Sequence, residues 1–457
     1  MKKKIFFLTS LMLILSLTGC GLSLGDGGGQ KQKTKTLTYW RVFDGKDAFQ
    51  EIIKEYEKRH PNVKIKYKKL RYDNYREELL NAMAEDRGPD IFSINNSWMK
   101  EYKSKISPLP DRITVKELTQ KGVIKKEAVL KEKTKDALSL KDIEDKFIDV
   151  VYDDAVIENK KGLEKIYGLP LAVDTLAMYY NKDLLNNAGI ASPPEYWNRT
   201  FQKNVKKMTK QDSKGKIIQS GVAMGGSENI ERASDVLSVL MMQNKATMMT
   251  ESGNVLFTES RPDGSAPGLE ALRFYTDFSN PAKEVYCWNS NLDNSLKKFT
   301  EGNLALMFGY SYHLPTIKSR APKLDFSVAP LPQIENQEKI NHANYWMEVV
   351  SQKSEHKEVA WDFLMFATKK KQAQKYLQET NNPTALRSLV DKQVEDREIG
   401  VFAKQLLTAE SWYEGYDYQA TEDIMKDMIK QANQNPEEIE EALNRGASRV
   451  QQTTIQN

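Results

Sequence analysis

The chain has 457 residues, 40% of them hydrophobic and 28% charged, which suits a soluble body and is too long for one core to be expected. Its formal net charge of +4 includes Lys2, Lys3 and Lys4 at the N-terminus; setting those three aside leaves about +1. So balanced a chain has no bulk electrostatic reason to bind nucleic acid.

The three lysines precede an apolar run from Ile5 to Leu17, 13 residues long. That is too short for a helix crossing a hydrocarbon layer of roughly 30 Å. A basic start, a short apolar run and small residues before a cut describe an export signal over residues 1–19. Leu17-Thr18-Gly19-Cys20 resembles the lipobox of bacterial lipoproteins, which implies cleavage before Cys20 and lipidation of its sulfur. The segment from Cys20 to Thr36 holds Gly27-Gly28-Gly29 and reads as a tether with a reach of roughly 20–25 Å. Cys287 is left as a lone thiol, best read as a small buried residue.

The body opens with an expected strand over Leu37–Phe43. Asp47 and Gln50 have capping-box spacing, and Phe49, Ile52, Ile53 and Tyr56 fall on one helical face. His60-Pro61 stops that helix. Val63, Ile65 and Tyr67 alternate with lysines as a half-exposed strand, Leu79, Leu80 and Met83 mark a second helix, and Asp90–Ile94 reads as a buried strand. This order predicts an open α/β sheet. The charged stretch Asp111–Lys165 reads as mostly helical. Further on, Leu171–Tyr180 is extended and Lys182–Ala188 is a helix closed by Gly189. Leu269–Phe278 and Asn294–Phe299 are helical, Leu304–Phe308 and Phe326–Leu331 are strands, and Val359–Ala367 is a helix.

Three blocks resemble the family 1 extracellular solute-binding proteins, the group that includes the maltose-binding protein. The first runs from Thr38-Tyr39-Trp40 through His60-Pro61-Asn62-Val63 to Gly88-Pro89-Asp90-Ile91-Phe92. The second is Pro170-Leu171-Ala172-Val173-Asp174 with Ala177-Met178-Tyr179-Tyr180-Asn181-Lys182-Asp183-Leu184-Leu185. The third links Phe299, Glu301-Gly302 and Leu304-Ala305-Leu306-Met307 to Ala360-Trp361-Asp362-Phe363-Leu364. The resemblance implies a periplasmic-binding-protein fold of the second type, two α/β lobes joined by a hinge with a ligand cleft between them. One lobe would comprise 37–172 and 332–385, the other 173–331 and 386–457. Crossings are expected near Ala172–Thr175, Pro330–His342 and Asn381–Leu389. The same resemblance implies a monomer that hands a small carbohydrate to the permease subunits of an ABC importer.

A sugar offers hydroxyls at its edge and C–H faces above and below. Its site should therefore combine carboxylates or amides with flat aromatic rings near strand ends. Trp40 and Asp44 follow the first strand, and Asn95 and Trp98 follow the Pro-Asp strand. Asp174 stands where the resemblance places an acidic sugar ligand. Tyr310 and Tyr312 follow Gly309, Tyr345 and Trp346 precede the strand around Glu348, and Trp412-Tyr413 offers a late aromatic wall. Tyr179, Tyr180, Trp288 and Trp361 read as core.

No spacing of carboxylates singles out an acid and a nucleophile, and Asp153-Asp154 reads as solvated surface. The four histidines show no metal-ligand spacing and no phosphate-binding Gly-rich loop is present, so neither an enzyme nor a cofactor is expected. Two other binding readings stand beside the sugar receptor. A receptor for a phosphorylated polyol would need a basic cleft, for which Arg41 and Lys46 are the available cations. A sensory or adhesive lipoprotein could share the fold.

Overall fold

The alternating apolar residues at the start of the body build a parallel sheet in the computed structural model. The structure describes residues 34–121, 127–250 and 252–456, so the export signal, Cys20 and nearly all of the tether lie outside the described residues. Strand Lys35–Val42 pairs in parallel with Val63–Leu70, from Lys35 opposite Val63 to Val42 opposite Leu70. Ile91–Asn95 pairs along its other side, again in parallel. A distant strand, Trp346–Ser351, then runs antiparallel against Ile91–Asn95 and also pairs with the short strands Ile106–Ser107 and Leu169–Pro170, completing six strands.

Helix Asp47–Arg59 buries the expected stripe of Phe49, Ile52, Ile53 and Tyr56 against this sheet. The expected capping box does not form. Lys46 already has a right-handed helical backbone, so Asp47 lies inside the first turn and cannot adopt the extended conformation of a cap. There it meets the positive end of the helix dipole instead.

A second sheet has five strands in the order Lys210–Gln211, Ile217–Val222, Leu304–Gly309, Ala177–Asn181 and Phe326–Ala329. Asn181 caps helix Lys182–Asn187 by accepting from Leu184 N at 3.1 Å, and Gly189 at φ +68° takes the chain out of it. The late helices Tyr418–Gln434 and Ile439–Thr453 bury Met425, Met428, Ile429, Leu443 and Val450 in this second core. The two cores are separate apolar clusters. Cys287, Trp288 and Trp361 are fully buried, as core readings require.

A small third sheet joins the halves: Asp174–Thr175 pairs with Asn341–Asn344, which pairs with Ala409–Glu410. At the first crossing Val173 packs in the first core and Leu176 in the second. At the second, Leu331 still packs in the second core and Gln333 exchanges backbone hydrogen bonds with Glu195 and Trp197. At the third, helix Arg387–Val394 buries Leu389 and Val390 in the first core, whereas Phe402 already packs in the second. Helical periodicity shows which face is buried but not against which neighbour.

The stretch read as mostly helical is corrected. Arg112–Lys121 and Glu127–Asp136 form an antiparallel hairpin, from Arg112 opposite Asp136 to Lys121 opposite Glu127. Ile113 and Val115 alternate into the first core, a period of two overshadowed by the surrounding charge. The Lys116 carbonyl meets His60 Nδ1 at 2.8 Å, and Lys135 pairs with the buried Asp362. Helices Leu140–Lys146 and Asp149–Ala155 then follow.

The first sheet also encloses charge. Glu348 accepts from Tyr39 OH at 2.6 Å and Ser93 Oγ at 2.8 Å, and pairs with Arg41 at 2.9 Å. Arg41 continues to Asp44 at 2.8 Å and donates to Tyr376 OH at 2.9 Å. Burial pushes Glu348 upward while Arg41 opposes it. Removing one member strands a buried charge, at a cost of about 3–5 kcal/mol. Glu348→Ala is expected near the low end, about 3 kcal/mol, because Asp44 still faces Arg41. Urea unfolding measures this, and a loss below about 1 kcal/mol would show that the network contributes little.

Candidate functional site

Where the crossing strands meet the ends of the two sheets, Asn95, Asn96, Ser97, His342, Ala343, Asn344, Ser411, Trp412, Tyr413 and Tyr418 line a space of about 10 Å³, room for about one water molecule. The strand Ile91–Asn95 ends at this space and hands over to the short turn Asn96–Trp98. Asn95 Oδ1 accepts from Ser97 N at 3.1 Å and Ser97 Oγ at 2.6 Å, while its Nδ2 donates to Asn344 Oδ1 at 3.1 Å. The lining is thus rich in oriented amides and hydroxyls. The halves also touch here, since Tyr418 of the second half packs on the first core and Lys100 lies 5.6 Å from the Tyr416 ring centre.

Aromatic rings flank this space on both halves. In the first, Trp346 lies edge-on to Trp98 at 5.2 Å, Phe43 at 5.6 Å and Tyr75 at 5.9 Å. Phe43 stacks on Tyr72 at 5.5 Å, and these two rings are 54% and 52% exposed, unlike the core aromatics. Phe43 holds a left-handed backbone at φ +63°, an uncommon conformation for a bulky residue that clusters at functional sites. In the second half, Tyr312 is 51% exposed and stacks between the buried Tyr310 and His313. Arg232 bears on Tyr72 electrostatically, which places the two aromatic groups near one another across the gap.

Three acids surround the crossing strands, Asp235 buried and Asp174 and Asp154 half-buried. Asp174 accepts from Ser311 N at 2.8 Å, Ser311 Oγ at 2.6 Å and Thr175 N at 2.9 Å; burial still pushes it up to about 7. Asp154 accepts from Tyr345 OH at 2.7 Å, Asn96 Nδ2 at 3.1 Å and Ser411 Oγ, and burial pushes it up to about 6. Asp235 differs. Burial would raise it too, but the paired Arg232 and the Tyr310 hydroxyl outweigh burial and hold it below the usual carboxylate range. Among the described residues no group of three or more His, Cys, Asp or Glu could hold a metal ion.

Comparison with known proteins decides the family. The model of the bacterial extracellular solute-binding proteins matches residues 44–374, most of the chain. The chain belongs to that family. The galactooligosaccharide-binding protein of Bacillus subtilis is 24% identical over 392 residues, 85% of this chain and 82% of that protein. A cyclo/maltodextrin-binding protein complexed with maltotetraose superposes at a TM-score of 0.70 with 16% identity, covering 94% of this chain and 99% of that one. The sugar-binding protein MalE of Xanthomonas citri gives 0.68 with 18% identity, covering 92% and 97%. The expected fold is shown, and a solute-binding protein works by capture rather than catalysis.

Within this solute-binding protein, Asn95, Trp412 and Tyr413 line the cleft. Trp98, Trp346 and Tyr312 belong to its flanking rings. Other expected residues are corrected. Tyr310 is fully buried, with its hydroxyl 2.6 Å from Asp235, so it supports Tyr312 from behind. Tyr345 is buried and bonded to Asp154, and Asp44 is held by Arg41 and Tyr376 OH. Trp40 packs on the first core with Lys68 Nζ 4.2 Å over its ring, apart from the Trp346 cluster. The hydroxyl of Tyr413 is tied to Thr453. Asp174 clasps Ser311 to the first crossing, which positions the neighbouring Tyr312.

Phe43, Tyr72, His342 and Asn344 were not foreseen. Phe43 and Tyr72 could have been found as aromatics just beyond strand ends. Asp154, read as solvated, is instead a half-buried acceptor because its helix turns it toward three donors.

Asp154 and Asp174 hold protons in the folded protein that the unfolded chain has released, since both are raised from 3.8, to about 6 and about 7. The stabilisation they give is complete below about pH 4 and is lost as pH rises toward 7. Unfolding free energy, measured by urea between pH 4.5 and 7.5, should therefore decline through these groups. Asp174→Asn should flatten the decline, and an unchanged slope would refute the assignment.

Proposed function

We propose that this solute-binding protein captures a sugar or oligosaccharide outside the cytoplasm and delivers it to an ABC importer. One observation carries the reading: a floor of oriented amides and hydroxyls lies between half-exposed aromatic rings contributed by both halves. Such a floor matches a hydroxyl rim, and such rings match C–H faces. The names of the Bacillus subtilis galactooligosaccharide- and maltodextrin-binding relatives support the same ligand class. Asn95, Trp98, Tyr312, Trp346 and Trp412, joined by Phe43 and Tyr72, are the proposed contacts.

The halves turn about the three crossings as a hinge, and closure follows from tighter ligand binding to the closed form. Lipidation at Cys20 anchors the body as a monomer on the extracytoplasmic face, in reach of the permease. No helix among the described residues is long and apolar enough to cross a membrane. Against the phosphorylated-polyol reading stands the pairing of Arg41 with Asp44 and Glu348, and of Arg232 with Asp235, so neither guanidinium offers an unopposed charge to a phosphate.

Thermal unfolding of the purified protein against a panel of neutral saccharides tests this. A ligand at 100 times its Kd adds about 2.7 kcal/mol of stability. Trp412→Ala and Phe43→Ala should each weaken binding about tenfold or more while leaving the protein folded. A shift from glycerol phosphate alone would reverse the ligand class, and failure of a deletion strain to lose sugar uptake would favour sensing over import.

A further inference from the structure

The hydrogen-bonding sense of two cleft residues is fixed by the buried groups behind them. Asp235 is 1% exposed in its side chain and pairs with Arg232 through Nε at 2.8 Å and Nη2 at 2.6 Å. It is therefore a carboxylate, which can only accept. The Tyr310 hydroxyl lies 2.6 Å from Asp235 Oδ2 and must donate its single proton there. The same hydroxyl oxygen lies 3.0 Å from His342 Nδ1. Its proton already placed, that oxygen can only accept, so the hydrogen of this second bond sits on Nδ1.

His342 is 5% exposed, and burial holds its ring neutral by lowering its basicity, against the opposing pull of Asp235. A neutral ring with hydrogen on Nδ1 keeps a bare lone pair on Nε2. Nε2 has no protein partner among the described residues, yet it is not among the sealed polar atoms that lack one. The ring lines the cleft, so this nitrogen is the part of His342 left for a ligand.

Ser411 repeats the pattern from the third crossing. Its hydroxyl donates to Asp154, whose other oxygen is filled by Tyr345 OH at 2.7 Å and Asn96 Nδ2 at 3.1 Å. Above about pH 6 Asp154 is a carboxylate and cannot return a proton. Ser411 Oγ thus has only lone pairs for the cleft. Both residues border the same space, and His342 pairs in its strand with Glu410, the residue before Ser411.

We propose that His342 Nε2 and Ser411 Oγ are specificity-determining acceptors, so that the ligand must present a hydroxyl donor to each. This rests on the sugar reading above and sharpens it. An ether or O-methyl oxygen at either point would set acceptor against acceptor inside a desolvated site, and a site built to bond a hydroxyl rejects the analogue lacking it strongly.

The chain has four histidines, so selective ring ¹⁵N labelling gives a small set of signals, with His342→Gln assigning the one of interest. At pH 7.5, without ligand, His342 should show the neutral pattern with hydrogen on Nδ1. Tyr310→Phe should erase that preference. Hydrogen on Nε2, or a doubly protonated ring, in the unaltered protein would overturn the proposal. A second arm uses the saccharide giving the largest thermal shift, with its mono-O-methyl derivatives. Two positions should lose at least 100-fold in affinity on methylation, and Ser411→Ala should reduce the penalty at one of them tenfold or more. Tolerance of methylation at every position, or an unchanged pattern in Ser411→Ala, would likewise sink it. If no saccharide binds, the sugar reading fails while the ring spectra still decide the tautomer.

Discussion

The pairing of Asn341–Asn344 with Asp174–Thr175 on one side and Ala409–Glu410 on the other governs the rest of the molecule. Three passages between two cores bring backbone polar groups to the place where ligand access is needed, and each group requires a partner. Pairing the passages with one another meets that demand without filling the gap. It also aligns His342, Ala343 and Asn344 along the floor of the cleft. After Tyr345 the same segment becomes strand Trp346–Ser351 of the first sheet, so floor and lobe are tied by one continuous backbone.

Charge is arranged on the same plan. Arg41 meets Glu348 and Asp44, and Arg232 meets Asp235. Two further acids, Asp154 and Asp174, have donors but no cation beside them, and burial raises both. Buried ion pairs add little net stability, because desolvation offsets attraction. Their consequence here is orientation, since an acceptor-only carboxylate dictates which way each neighbouring hydroxyl points. Asp154 acts on Ser411, Asp174 on Ser311, and Asp235 on Tyr310.

Much of the fold was legible in the sequence because its signals are local. The stripe Phe49–Tyr56 and the alternation from Val63 need no knowledge of neighbours. The family blocks located the cleft, and Asn95, Trp346 and Trp412 lie beside it. What failed was non-local. Hairpin Arg112–Asp136 carries helix-like charge but folds as strands, because Ile113 and Val115 find the first core. Tyr310 and Tyr345 look like platforms in sequence, yet each hydroxyl is claimed by an acid 75 or 191 positions away. Phe43 escaped notice because its left-handed backbone has no residue signature.

These features act on ligand closure in one direction. A hinge shifts only by the difference in affinity between its open and closed forms. Rings on both halves can sandwich a ligand only when the halves meet, so stacking contributes mainly to the closed form. The polar floor differs, because its amides and hydroxyls are already held by Asn344, Asp154 and one another before anything binds. Pre-set donors and acceptors cost little ordering entropy on binding. In the proposed reading the floor selects the ligand while the rings supply the preference for closure, and the two tasks fall on different residues.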